Sequence, residues 1–207
     1  MVASKMVTPK KILLISCGAL ASTLKSLLKQ NQWDFIKLEC LPAIWHNHPE
    51  KIVPALKQKI ALAKISKKFN KILVAYGDCG TKGELDKLLD KSGAVRIKGN
   101  HCYEFFTGTE EFEKIFSSEI GSFYLSDYLV TFFDKLILDG LGIKKHPHLR
   151  DIYFKNYKKL VYLAQTNNTI LQREAKLAAD FLGLEYSYKF TGFKNIESFI
   201  NHQLSNR

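Results

Sequence analysis

β-rich apolar runs alternating with amphipathic stretches place this chain in the α/β class, with a doubly wound, mostly parallel sheet and a helical insert. Two further observations support the assignment. An apolar run closed by Cys-Gly and followed by helical spacing occurs twice, in "KKILLISCGAL" and in "NKILVAYGDCG". The 207 residues, 46% of them apolar, also suffice for a proper core, and no Pro/Gly/Ser linker or low-complexity tract divides them. Residues 1–207 therefore read as one domain.

The first strand is "KKILLIS", residues 10–16, stopping at Cys17-Gly18, after which Leu20, Leu24, Leu27 and Leu28 show helical spacing. "DFIKLECLPAI" supplies the second strand. After "WHNHPE", a long amphipathic helix is expected from about Pro49 to Phe69, with Pro49 suiting a first turn and Pro54 near enough to the start to be tolerated or to kink it. The third strand, "NKILVAYGDCG", leads into a helix carrying Leu85, Leu88 and Leu89 that Gly93 stops. A fourth strand, "AVRIKG", runs into "NHCYEFFTG".

Residues 109–156 read as helices, with a cap at Ser126 and an ending at Gly140 to Gly142, and form the helical insert or cap. A fifth strand "KKLVYLAQ", the helix "TILQREAKLAADFLG", a short strand "LEYSYKF" and the helix "NIESFINHQL" complete the chain. The whole is Rossmann-like or flavodoxin-like. The commonest simple strand order for such a sheet, 2-1-3-4-5, makes strands one, three and four neighbours.

Composition narrows the function classes. The chain carries 31 Lys and Arg against 20 Asp and Glu, a formal charge of +11. The excess is mostly Lys, in pairs such as Lys10-Lys11, Lys67-Lys68, Lys144-Lys145 and Lys158-Lys159 that flank apolar runs as solvated end residues do. Arg, the better reader of bases and phosphates, is scarce, so nucleic acid is not the expected partner. The opening "MVASKMVTPKK" has no long apolar stretch, and no run approaches the ~20 residues needed to span a bilayer, so a cytoplasmic protein without membrane association is expected. Four cysteines without a secretory signal argue against a disulfide framework and leave thiols for packing, metal or chemistry.

Three of the cysteines occupy equivalent places. Cys17 ends the first strand, Cys79 the third, and Cys102 lies just past the fourth. Ligands of open α/β sheets bind beyond the carboxyl ends of the strands, and strands about 4.8 Å apart can bring three such thiols within a few ångströms. Zinc, at ~2.3 Å from each sulfur, fits that spacing, and an iron–sulfur cluster is the alternative. His46 is the favoured imidazole ligand over His101, because His101 adjoins Cys102 and successive side chains in extended backbone point apart. A second mechanism needs no metal: Cys17 and Cys79 each lead into a helix, whose dipole would lower a thiol's pKa, with His46 or His101 as base. Cys40, among apolar residues in "LECLPA", reads as packing.

Other polar residues carry two readings each. Gly77, Gly80 and Gly83 do not make a G-x-G-x-x-G or Walker A pattern. Asp78 either orients a ligand or caps the following helix, with Thr81 competing for the cap. Glu104, beside Tyr103, Phe105 and Phe106, is either an acid or base in an apolar setting or a Glu on the solvated side of a turn. In "KKHPHLRDIYF", His146, His148, Arg150 and Asp151 form either an anion or ligand clamp, with Arg150 as its binding residue, or a salt-bridged helix start.

Assembled, the motifs "SCGAL" at 16–20, "LPAIWHNHPE" at 41–50, "YGDCGTKGELD" at 76–86, "IKGNHCYEFFTG" at 97–108, "GSFYLSDYLVTFFD" at 121–134, "GLGIKKHPHLRDIYFKNYKKLVYLAQ" at 140–165 and "TGF" at 191–193 resemble one prokaryotic family, domain of unknown function 1638. The resemblance runs from about Lys11 to Ile200 and maps Cys17, Cys79, His101 and Cys102 onto the family's characteristic positions, with His46 and Asn47 in a related context. Relatives usually carry Arg where this chain has His48, which makes His48 a poor ligand candidate; Cys40 falls outside the motifs. Family members are often encoded beside corrinoid-dependent methyltransferases for methylated amines. The resemblance thus implies corrinoid-linked one-carbon metabolism, with a corrinoid protein or methyltransferase as partner and corrinoid reached only through it. Joined to the cysteine site, this gives a zinc–thiolate protein that activates a thiol or accepts a methyl group, with Glu104 and His101 as catalytic candidates. The competing class is a non-catalytic accessory protein or metal or corrinoid chaperone with a structural metal or iron–sulfur site.

Overall fold

A computed structural model describes residues 11–118 and 120–205; the opening "MVASKMVTPK" lies outside them. The fold is α/β and doubly wound, built on two parallel sheets. The chain divides into two compact units between His101 and Cys102.

In the first unit, β1 (Ile12–Cys17), β2 (Ile36–Leu41), β3 (Lys71–Ala75) and β4 (Val95–Arg96) form a sheet in the order β2-β1-β3-β4. All three pairings are parallel. Helices α1 (Ala21–Gln30), α2 (Ile52–Ser66) and α3 (Glu84–Ser92) connect them. The continuous apolar run of β1 has a simple cause. The strand is central and covered on both faces, with Leu13, Leu14 and Ile15 at most 2% exposed. Each such side chain contributes about 1.5–3 kcal/mol on burial. Leu56 and Ile60 of α2 and Leu85 and Leu89 of α3 pack into the same core.

Strand β2 is an edge. Its Glu39 takes Lys37 at 2.8 Å and Lys59 at 2.7 Å, and such charge on an edge strand discourages further pairing. The two ammonium groups hold the Glu39 carboxyl below the usual range. A groove of about 520 Å³ toward the amino ends of β1 and β2 is lined by this ion cluster together with Lys11, Lys68 and Phe69. The helix stop expected at Gly93 is present as a left-handed residue with φ 65°.

In the second unit, β5 (Ser122–Ser126), β6 (Lys159–Ala164) and β7 (Glu185–Phe190) form a parallel sheet in the order β5-β6-β7. Its helices are α4 (Cys102–Thr107), α5 (Thr109–Ser118), α6 (Asp127–Thr131), α7 (Leu149–Phe154), α8 (Thr169–Leu182) and α9 (Lys194–Ser205). A π-helical turn spans Asp134–Asp139. Leu125, Leu160, Tyr162, Ala175, Ala179 and Phe154 lie in its core. Ser126 caps α6 as expected, its hydroxyl accepting from the Leu129 N–H at 3.4 Å. Asn168 does the same for α8 through the N–H groups of Ile170 and Leu171.

Two sequence expectations are corrected here. "KKLVYLAQ" does not extend the first sheet as its fifth strand; as β6 it is the centre of a separate sheet. Residues 109–156 are not wholly helical, because "SFYLS" forms β5, whose apolar residues are claimed by pairing with β6. "NHCYEFFTG", to which the sequence assigns no element, holds the helical turn Cys102–Thr107, which buries Phe105 and Phe106.

Candidate thiol site at the carboxyl end of the first sheet

In the order β2-β1-β3-β4 the chain leaves β1 toward β2 on one side and β3 toward β4 on the other. The loops at their carboxyl ends part there, opening the crevice where α/β sheets bind ligands. Cys17 is the last residue of β1, and Cys79 lies on the turn after β3. Both thiols are half-buried, and both pack on the core of the first unit, as does the partly buried Trp45.

Tyr76 stands between them in the sequence logic of the site. The β1–β3 register ends at Ser16 and Ala75, so Cys17 and Tyr76 are each one residue past the last pair. The Tyr76 side chain is 2% exposed and its hydroxyl completes no hydrogen bond by distance and angle. The Cys17 thiol is nevertheless close enough for the two groups to feel each other, and Cys79 and Cys40 lie within electrostatic reach. Burial, then these neighbours, push the phenol far above its ordinary value.

The turn is shaped for its cysteine. Cys79 adopts φ 48°, a left-handed conformation that costs a residue with a Cβ about 1–2 kcal/mol. Its N–H donates to the Asn100 carbonyl at 3.4 Å, and a Cβ on Gly77 would stand 2.7 Å from that same oxygen. Gly80 faces Pro49, with its Cβ position 3.5 Å from the proline ring. Asp78 ties the turn together: its carboxylate accepts from the Gly83 N–H at 2.8 Å, the Thr81 hydroxyl at 3.0 Å and the Lys82 N–H at 3.2 Å. These donors, the Gly83 amide foremost, hold its carboxyl below the usual range. Asp78 thus spends its oxygens on the turn.

Arg96 braces the neighbouring loop. Its guanidinium grips Asp86 at 2.5 and 3.0 Å and donates to the carbonyls of Ile97 at 3.1 Å and Gly99 at 2.9 Å. The pairing with Asp86 raises the arginine's pKa and lowers the aspartate's. Its positive charge also opposes, weakly, the rise of Cys79.

Both thiols are shifted upward, away from the thiolate. Burial raises Cys17, opposed by the Ala19 N–H and the Tyr76 hydroxyl. Burial, then the Cys17 charge, pushes Cys79 up to about 11. Burial is the largest cause at both thiols; Cys17 is the N-cap of the 3-10 turn Gly18–Leu20 that runs on into α1, whereas α3 starts only at Glu84, beyond the Cys79 turn.

Cys102 opens the second unit as the first residue of α4. His46 and His101 are exposed. Among the described residues, no three His, Cys, Asp or Glu side chains come together as a metal-binding group. Glu104 is buried, at 3% exposure, which rules out the solvated-turn reading; its backbone carbonyl accepts from Asn195 at 3.0 Å. Arg150 bonds Asp151 at 2.7 Å and the Phe181 carbonyl at 3.3 Å and lies over the Phe181 ring, as a salt-bridged helix start does. Cys40 is exposed rather than packed, because β2 is an edge, and its sulfur meets the Ser16 hydroxyl at 3.3 Å.

Sequence reasoning missed Tyr76 and Arg96. A tyrosine where an apolar strand reaches a glycine, and an arginine inside "AVRIKG" in a lysine-rich chain, were the available signals.

Comparison with protein families matches residues 40–200 to the family described as "Protein of unknown function (DUF1638)". The chain belongs to the DUF1638 family. Tyr76, Cys79, Arg96 and Cys102 fall inside the matched span, and Cys17 precedes it. Searches of curated proteins and of solved structures found no match.

Proposed function

We propose that the crevice between β1 and β3 is a thiolate metal site, with zinc as its first candidate and Cys17 and Cys79 as two of its ligands. The observation that carries the reading is the placement of two half-buried thiols, from two different strands, at the switch point of the sheet. Burial keeps both sulfurs protonated at neutral pH, so a cation that displaces the protons supplies what ionises them. Two sulfurs fill two of the four positions of a tetrahedral zinc.

A zinc-bound thiolate retains nucleophilic sulfur at neutral pH, the chemistry required to accept or pass a methyl group. The family resemblance supplies the context, corrinoid-linked methyl transfer with the corrinoid held by a partner. The protein would serve there as a methyltransferase or as its metal-bearing accessory.

The test is metal analysis and absorption of anaerobically purified protein, wild type beside Cys79→Ser. Stoichiometric zinc in the wild type and its loss in the variant support the reading. No metal in either, with all thiols freely titratable, overturns it, and a brown chromophore would replace zinc by an iron–sulfur cluster.

A further inference from the structure

A buried hydroxyl without a partner costs about 1–3 kcal/mol, whereas phenylalanine would fill the same space without that cost. Tyr76, 2% exposed at the carboxyl end of β3, carries such a hydroxyl, and its neighbours are the sulfurs of the crevice, Cys17 first. A neutral thiol is a weak acceptor. A thiolate is a strong one, because a hydrogen bond to an ionised acceptor is roughly twice as strong as a neutral one.

We infer that Tyr76 is a positioning residue for a metal held by Cys17, its hydroxyl donating to the Cys17 sulfur when a cation binds there. The inference rests on the thiolate-metal reading above. The geometry favours it on two counts. Cys17 and Tyr76 each lie one residue beyond the last β1–β3 register pair, so adjacent strands deliver the donor and its acceptor. The hydroxyl completes no hydrogen bond by distance and angle and interacts with the neighbouring Cys17 thiol only weakly, so a full bond can form to a charged sulfur. Groups that hydrogen-bond metal ligands orient them, and their loss typically lowers metal affinity about 10- to 100-fold.

The role gives an unusual signature, since a structural tyrosine and a positioning tyrosine respond to Tyr76→Phe in opposite ways. Without its orphan hydroxyl, the metal-free protein should melt at a higher temperature than wild type. The same variant should bind Zn²⁺, measured by competition with a chelator, about 10- to 100-fold more weakly. With Co²⁺ as the spectroscopic probe, its sulfur-to-metal charge-transfer band should shift, because the sulfur has lost a hydrogen bond.

Equal Zn²⁺ affinity and an unshifted Co²⁺ band in wild type and Tyr76→Phe would overturn the role of Tyr76 while leaving the metal site standing. A lower melting temperature of the metal-free variant would overturn it as well, by showing that the hydroxyl is already bonded. Failure of wild type itself to bind either ion would remove the metal site and the inference together.

Discussion

The Asn100 carbonyl stands 2.7 Å from the point where a Cβ on Gly77 would sit and accepts the N–H of Cys79. One backbone oxygen thus locks the turn that presents the thiol, and it tolerates only glycine at position 77. Gly77→Ala must push the 97–101 loop away. The expected cost is about 1–3 kcal/mol in denaturant unfolding, by the strain of overpacking against backbone. Weaker metal binding should accompany it, since the Cys79 N–H loses its acceptor.

Cys79 sits at φ 48°. Alanine and glycine there both delete the thiol, but only glycine relieves the left-handed backbone. Cys79→Gly should therefore be more stable than Cys79→Ala by about 1 kcal/mol, and both should fail to bind metal. Chemical denaturation of the pair measures the difference. Equal stabilities would mean that the turn relaxes away from this conformation.

The folded protein holds the Cys79 proton more tightly than the unfolded chain does, because burial and the Cys17 charge disfavour the thiolate. Stability from this source is complete below the ordinary thiol value of 9.0 and is lost as pH rises through about 11. Metal-free wild type should lose on the order of 2 kcal/mol more than Cys17→Ser/Cys79→Ser across that window. Parallel curves for the two proteins in metal-free buffer would contradict the burial of these thiols.

Arg96, with a side chain 16% exposed, offers a fork that lysine cannot copy. Arg96→Lys should lose the two-point grip on Asp86 and the bonds to the Ile97 and Gly99 carbonyls, at a cost of about 1–3 kcal/mol. The Asp86 carboxylate should then titrate at a higher pH, observable by NMR.

In the second unit, Asp127 joins the carboxyl ends of β5 and β6. Its oxygens accept from the Tyr162 hydroxyl at 2.7 Å, the Gln165 N–H at 2.9 Å, the Thr166 N–H at 3.0 Å and the Thr166 hydroxyl at 2.6 Å. A carboxylate so occupied is a structural latch. Asp127→Asn replaces an acceptor-only group by one with two donors, and should lower thermal stability by about 2–3 kcal/mol.

Strands β1 and β3 were legible because each is an apolar run that gives way to a glycine turn, and the spatial order around β1 followed from the commonest winding. Strand β5 was hidden. Its five residues, "SFYLS", end in the serine that caps α6 and run into an apolar stretch whose spacing is helical, and only pairing with β6 decides them. Helix α4 was hidden for a similar reason, since its two phenylalanines owe their place to burial rather than to local propensity.

The site divides in the same way. Cys17 and Cys79 were legible as strand-end thiols, and the structure couples them. Their ionisation runs opposite to the expectation from the helices that follow them, because burial is the largest cause at both Cys17 and Cys79 and raises both. Tyr76 could not be singled out from sequence, since a tyrosine ending a strand is ordinary until its hydroxyl is seen without a partner.

The most direct measurement of the proposed metal site is the alkylation rate of each cysteine, resolved by mass spectrometry, with and without Zn²⁺. Exposed Cys40 is the internal reference. Slower alkylation of Cys17 and Cys79 on adding Zn²⁺, reversed by chelator, with Cys40 unchanged, is the expected result. Rates at Cys17 and Cys79 that ignore the metal would contradict the site.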